Sequence, residues 1–108
     1  MEIEEFEWEI EESLRLEVGI EYTILIDPLK YDLGTMDTEN GEIVYPVFKV
    51  EVNGKPMDWP VSSKPLRRIL AKTFKENKPL RENTYLISVI RFGAGYQTFY
   101  KVNCQKTL

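Results

Sequence analysis

The stretch VFKVEVNGKPMDWPV, residues 47–61, limits the possible folds more than any other part of the chain. Asn53-Gly54 separates two runs, and both central residues of a type I′ turn need φ above zero, which Asn and Gly tolerate best. The pair therefore predicts a tight β-hairpin. In the run before it, IVYPVFKVEV, Phe48, Val50 and Val52 fall on one face and Tyr45, Val47, Lys49 and Glu51 on the other, as the two-residue period of a strand requires. KPMDWPV is the return strand.

Upstream, Ile20, Tyr22, Ile24 and Ile26 alternate with Glu21, Thr23 and Leu25, the pattern of a long half-buried strand reaching from Leu14 to Ile26. Pro28 has no backbone N–H to give a ladder, so it weakens or bends that strand. The polar run DLGTMDTENGE, residues 32–42 with two glycines, reads as a loop. Downstream, SSKPLRRILAKTFKEN is the one convincing helix. Ser62 or Ser63 caps it, Pro65 suits its first turn, and Leu66, Ile69, Leu70 and Phe74 recur at helical spacing opposite basic residues. Pro79 ends it. NTYLISVIRF and YQTFYKVNC form a second hairpin around Gly93-Ala94-Gly95. Strand, strand, strand, helix, strand, strand is the element order of the OB-fold, a five-stranded Greek-key barrel. A small α+β open sheet gives the same order and is the alternative.

The 108 residues suffice for one domain with a core and are too few for two. The expected division is an acidic N-terminal segment, 1–13, followed by an OB-fold domain, 14–108. That segment, MEIEEFEWEIEES, holds seven glutamates and no basic side chain, the reverse of the basic start of a signal peptide. No apolar run approaches the roughly 20 residues that cross a bilayer, so the expected location is the cytoplasm, without a membrane partner. Ile3, Phe6, Trp8 and Ile10 interleave with the glutamates. The segment either solubilises the chain, anchors on its body, or competes with an anionic ligand.

One cysteine and no histidine exclude an intramolecular disulfide, a Cys/His zinc site and any triad with a histidine base. Cys104 reads as a small half-buried strand residue. The chain lacks a Walker loop, a dinucleotide fingerprint and a serine elbow, and the carboxylates of TMDTENGE and IDPLKYD do not have EF-hand spacing. The expectation is a protein that is not an enzyme and uses no cofactor, metal or small-molecule substrate.

Charge is divided along the chain. Residues 1–60 carry 16 of the 18 acidic side chains and four basic ones, whereas residues 61–108 carry ten basic and two acidic. Such separation suits a polyanionic partner. On the last strand Gln97, Phe99 and Lys101 share one face and Thr98, Tyr100 and Val102 the other. Flat rings accept unpaired bases whatever their identity, while Lys and Arg follow the phosphates. Tyr45 with Lys49, and Arg91 with Tyr96, extend the same chemistry. Phe99 and Tyr100 should therefore differ, the first a stacking platform and the second core.

The element order, the VNGK hairpin, the helix opening SSKPL and the ending GAGYQTFYKV together resemble compact OB-fold single-stranded DNA-binding proteins of phage, archaeal or bacterial origin, over about residues 14–104. The resemblance implies a closed barrel and non-catalytic binding of single-stranded nucleic acid, DNA in the first place, with little sequence preference. It places Tyr45, Lys49 and Trp59 on the sheet face of the site, and Arg91, Tyr96, Phe99 and Lys101 around the last hairpin. The residues themselves also allow Trp59 to be core, because Met57 and Val61 share its face, and the helix cations to be a solvated face. Two other functions fit the same features: a protein-interaction module, as a homodimer or an adaptor in replication or transcription, and an inhibitor whose acidic segment mimics nucleic acid.

Overall fold

The computed structural model describes residues 12–93 and 95–105. Six strands and one helix follow in the order β1 (Glu12–Ser13), β2 (Glu21–Thr38), β3 (Gly41–Val52), β4 (Lys55–Pro60), α1 (Lys64–Glu76), β5 (Tyr85–Phe92) and β6 (Phe99–Cys104). They make one mainly β structure, a single mixed sheet in the spatial order β1-β4-β3-β2-β5-β6. The β1–β4 pair is parallel and the other ladders are antiparallel. No helix among the described residues is long and apolar enough to cross a membrane.

The β3–β4 hairpin turns on Asn53 and Gly54 with φ of 54° and 79°, the left-handed pair that the sequence demands. It sets the phase of both strands. Phe48, Val50, Val52 and Trp59 are buried with Ile24 and Ile26 of β2 and Ile87 and Val89 of β5, and Leu66 and Leu70 of α1 close over them. The helix begins where Ser63 Oγ accepts the Leu66 amide at 3.3 Å, a cap worth about 1 kcal/mol. Beyond its last turn, the Tyr85 hydroxyl donates to the Phe74 carbonyl at 3.1 Å, tying α1 to the start of β5. The β6 face that packs on the core holds Tyr100, Val102 and the half-buried Cys104.

Three features depart from the sequence reading. Residues 32–42 are not a loop, because β2 continues to Thr38 and pairs with β3 as far as Thr38↔Gly41. The ladder satisfies the backbone there regardless of the polar side chains, and the turn shrinks to Glu39-Asn40. Thr38 Oγ1 closes it by donating to the Gly41 carbonyl at 2.6 Å and accepting the Asn40 amide at 3.2 Å. Pro28 does bend the strand, since the β2–β3 register shifts between Ile26 and Tyr31.

Second, the strand expected from Leu14 begins at Glu21. Residues 14–20 form a strap instead, donating from the Leu14 amide to the Asp58 carbonyl at 2.7 Å and from the Gly19 amide to the Arg91 carbonyl at 2.8 Å. Gly19 takes φ of 82°, which breaks the extended run before the β2 ladder starts. The sheet also begins ahead of Leu14, as Glu12 and Ser13 pair with Met57 and Asp58 of β4. The rest of the acidic segment, with Phe6 and Trp8, lies outside the described residues.

Third, the sheet is open. Among the described residues β4 and β6 form no ladder, so a closed five-stranded barrel is not what these strands make. The strap crosses the gap between β4 and β5 with two backbone hydrogen bonds rather than a ladder of strand pairs.

Candidate nucleic-acid interface

Strand β6 is the sheet edge, and its alternation turns Phe99, Lys101 and Asn103 to solvent and Tyr100, Val102 and Cys104 toward the core. Phe99 is 59% exposed. Opposite it in the ladder stands Phe92, and the two rings stack with centroids 5.2 Å apart and planes at 20°. The hairpin between them relies on Gly93 and Gly95, at φ of 74° and 59°. Thr98 Oγ1 donates to the Gly95 carbonyl at 2.9 Å and fixes the turn. Tyr96 stands at its tip, fully exposed. The result is a stacked aromatic pair with a third, fully exposed ring in the turn of the same hairpin.

One cation adjoins this platform. Lys101 lies two residues along the exposed face from Phe99, in register with Ile90. The helix packs along β6, and the cleft between them is lined by Lys72, Thr73, Asn77, Lys101 and Asn103, with Glu76 as its carboxylate. The cleft brings Lys72 and Lys101 to the sheet edge, while its Thr73 hydroxyl and Asn77 amide donate to the Ile69 and Thr73 carbonyls.

The remaining expected site residues are placed differently. Trp59 is 2% exposed and packs on Phe48, ring centroids 6.5 Å apart, so it is core and offers no ring to a ligand. Lys49 lies between two carboxylates, its Nζ 2.8 Å from Asp58 Oδ1 and 3.7 Å from Asp32 Oδ2. Tyr45 is half-buried on β3 opposite Gly34, and its ring occupies the space a Gly34 side chain would need. Arg91 points its Nη1 to the Leu16 carbonyl at 3.3 Å, with its Nε buried and without a hydrogen bond among the described residues; it holds the strap. Of the seven, Tyr96, Phe99 and Lys101 come together on the β5–β6 hairpin.

Two contributors were missed by the sequence. Phe92 joins the platform through the hairpin register, which the glycine turn signals only loosely. Lys72 is one of the helix cations that the sequence allows as a solvated face, yet it borders the β6 cleft, whereas Arg67 is committed to the helix start, donating from Nη1 to the Val61 and Ser62 carbonyls at 3.0 and 2.8 Å. Compared with known family models, curated proteins and solved structures, the chain matches none.

Proposed function

We propose that the chain is a non-catalytic binder of single-stranded nucleic acid, DNA in the first place, with little sequence preference. The observation that supports this most is the Phe92–Phe99 stack, Phe99 exposed and Phe92 half-buried, on the same face of the sheet edge as Lys101, with Lys72 in the α1–β6 cleft at that edge. Stacking on rings is worth about 1–3 kcal/mol per base and does not depend on base identity. We read the sheet as OB-type, because its helix lies between the third and fourth long strands and barrels of that type are partly open. The β5–β6 hairpin then corresponds to a ligand-gripping loop.

Titration of a labelled single-stranded oligonucleotide over a range of salt tests the proposal. With about four phosphate contacts, log affinity falls against log salt with a slope near −3, from roughly −0.7 per phosphate on single strands. Phe99→Ala weakens binding by about 1–3 kcal/mol and leaves the unfolding midpoint nearly unchanged, since its ring is mostly in solvent. Absence of binding at low salt, or an affinity indifferent to salt, speaks against the proposal.

A further inference from the structure

Beyond the bulge at Pro28 the β2–β3 hairpin leaves the body of the sheet. β5 pairs with β2 from Glu21 to Ile26, and β4 pairs with β3 from Val47 to Val52, so among the described residues 31–46 form a two-stranded ribbon without a third strand. Its inner face continues the line of buried Phe48 and carries Tyr31, Leu33, Val44 and Pro46. Three of these are 49%, 68% and 54% exposed, in the order Tyr31, Leu33, Val44. A two-stranded ribbon is marginal in water by itself, and a contiguous exposed apolar surface marks a contact site.

At the root of the ribbon the same surface runs into an apolar groove formed by Pro28, Pro46 and Phe48 on one side and Leu70, Ala71 and Phe74 of α1 on the other. The charges around the two features are opposite. From Tyr31 to Val47 the chain has four carboxylates, Asp32, Asp37, Glu39 and Glu42, and no cation. On α1, Lys64, Arg68 and Lys75 are exposed, and their spacing puts them on one stripe with Ala71 at the groove. The ribbon is thus apolar with an acidic tip, and the groove is apolar with a basic rim.

We propose that two copies of this chain form a two-fold symmetric dimer in which the ribbon of each copy lies across the α1 groove of the other. A single chain carries both halves of the complementary pair, as an isologous interface requires. The dimensions agree: eight paired residues of β2 extend about 26 Å at about 3.3 Å per residue, and the thirteen residues of α1 about 20 Å at 1.5 Å per residue. The apolar stems, Tyr31, Leu33 and Val44, meet near the axis, and Asp37, Glu39 and Glu42 reach the partner's basic stripe. Pairing the ribbons tip to tip would instead set carboxylate against carboxylate. Nucleic acid is excluded from the ribbon by the same charges.

Sedimentation of the full chain with exchanged charges tests this. The wild type runs as a dimer that weakens with salt. Glu39→Lys with Glu42→Lys on the ribbon gives a monomer, and so does Lys64→Glu with Lys75→Glu on the helix. An equimolar mixture of the two variants recovers a dimer with one copy of each, because both ribbon–groove contacts are again complementary. Leu33→Ser with Val44→Ser gives a monomer with unchanged far-ultraviolet circular dichroism, as both side chains are solvent-exposed in the single chain. None of these variants touches Lys72, Lys101 or Phe99. A wild type that stays monomeric at high concentration, a mixture that fails to recover the dimer, or a dimer that survives the serine pair overturns the proposal.

Discussion

Trp59→Ala lowers the stability of the fold by about 3–5 kcal/mol, as truncation of a buried aromatic does. The ring is 2% exposed and packs on Phe48, so its removal leaves a void under β4. That strand is poorly placed to absorb the loss, since among the described residues its outer side is held by the two-residue β1 ladder, the Leu14 hydrogen bond and the exposed Lys55–Glu12 ion pair. A domain's whole stability is about 5–15 kcal/mol, which makes this a large fraction of it. Urea denaturation reads the change as a shift in midpoint. A binding platform would give the opposite result, with normal stability and impaired binding, and that outcome would return Trp59 to the ligand face.

Gly93→Ala is expected to damage the fold and the interface together. The residue holds φ of 74°, where a side chain adds roughly 1–2 kcal/mol of backbone strain. A Cβ there would also run into the backbone carbonyl of Gln97, and relieving such overpacking costs roughly 1–3 kcal/mol more. The backbone on both sides of that contact belongs to the turn between Phe92 and Phe99, so relief must come from moving the turn. The two rings then lose their 5.2 Å stack, and Tyr96 loses its position. Single-strand affinity should fall further in Gly93→Ala than in Phe99→Ala, with a lower urea midpoint in the glycine variant alone. Equal stability of both variants would mean that the turn relaxes freely.

Local signals with a mechanism of their own were legible in the sequence. Asn53-Gly54 gave the turn its positive φ pair, Ser63 the helix start, and alternation the opposite fates of Phe99 and Tyr100. What stayed hidden depends on partners distant in the chain. Residues 32–38 are polar and glycine-containing, and they are strand because β3 lies beside them. Lys49 reads as a phosphate ligand until the register brings Asp58 from β4 and Asp32 from β2 to its ammonium group. Arg91 reads likewise until residues 14–20 pass over it and the Leu16 carbonyl takes its guanidinium. The charge divide between the halves of the chain was plain. Its spatial form, an acidic ribbon on one side of α1 and a basic cleft on the other, required the fold.

The claim that a single strand lies on the β5–β6 hairpin and in the α1–β6 cleft is tested most directly by a nuclear magnetic resonance titration of the full chain with a short single-stranded oligonucleotide. The account predicts that the largest shifts fall on Tyr96, Phe99, Lys101 and Lys72, while residues 37–42 at the ribbon tip are unchanged. Largest shifts around Lys49 on the face of β3 and β4, or no shifts at low salt, would contradict it.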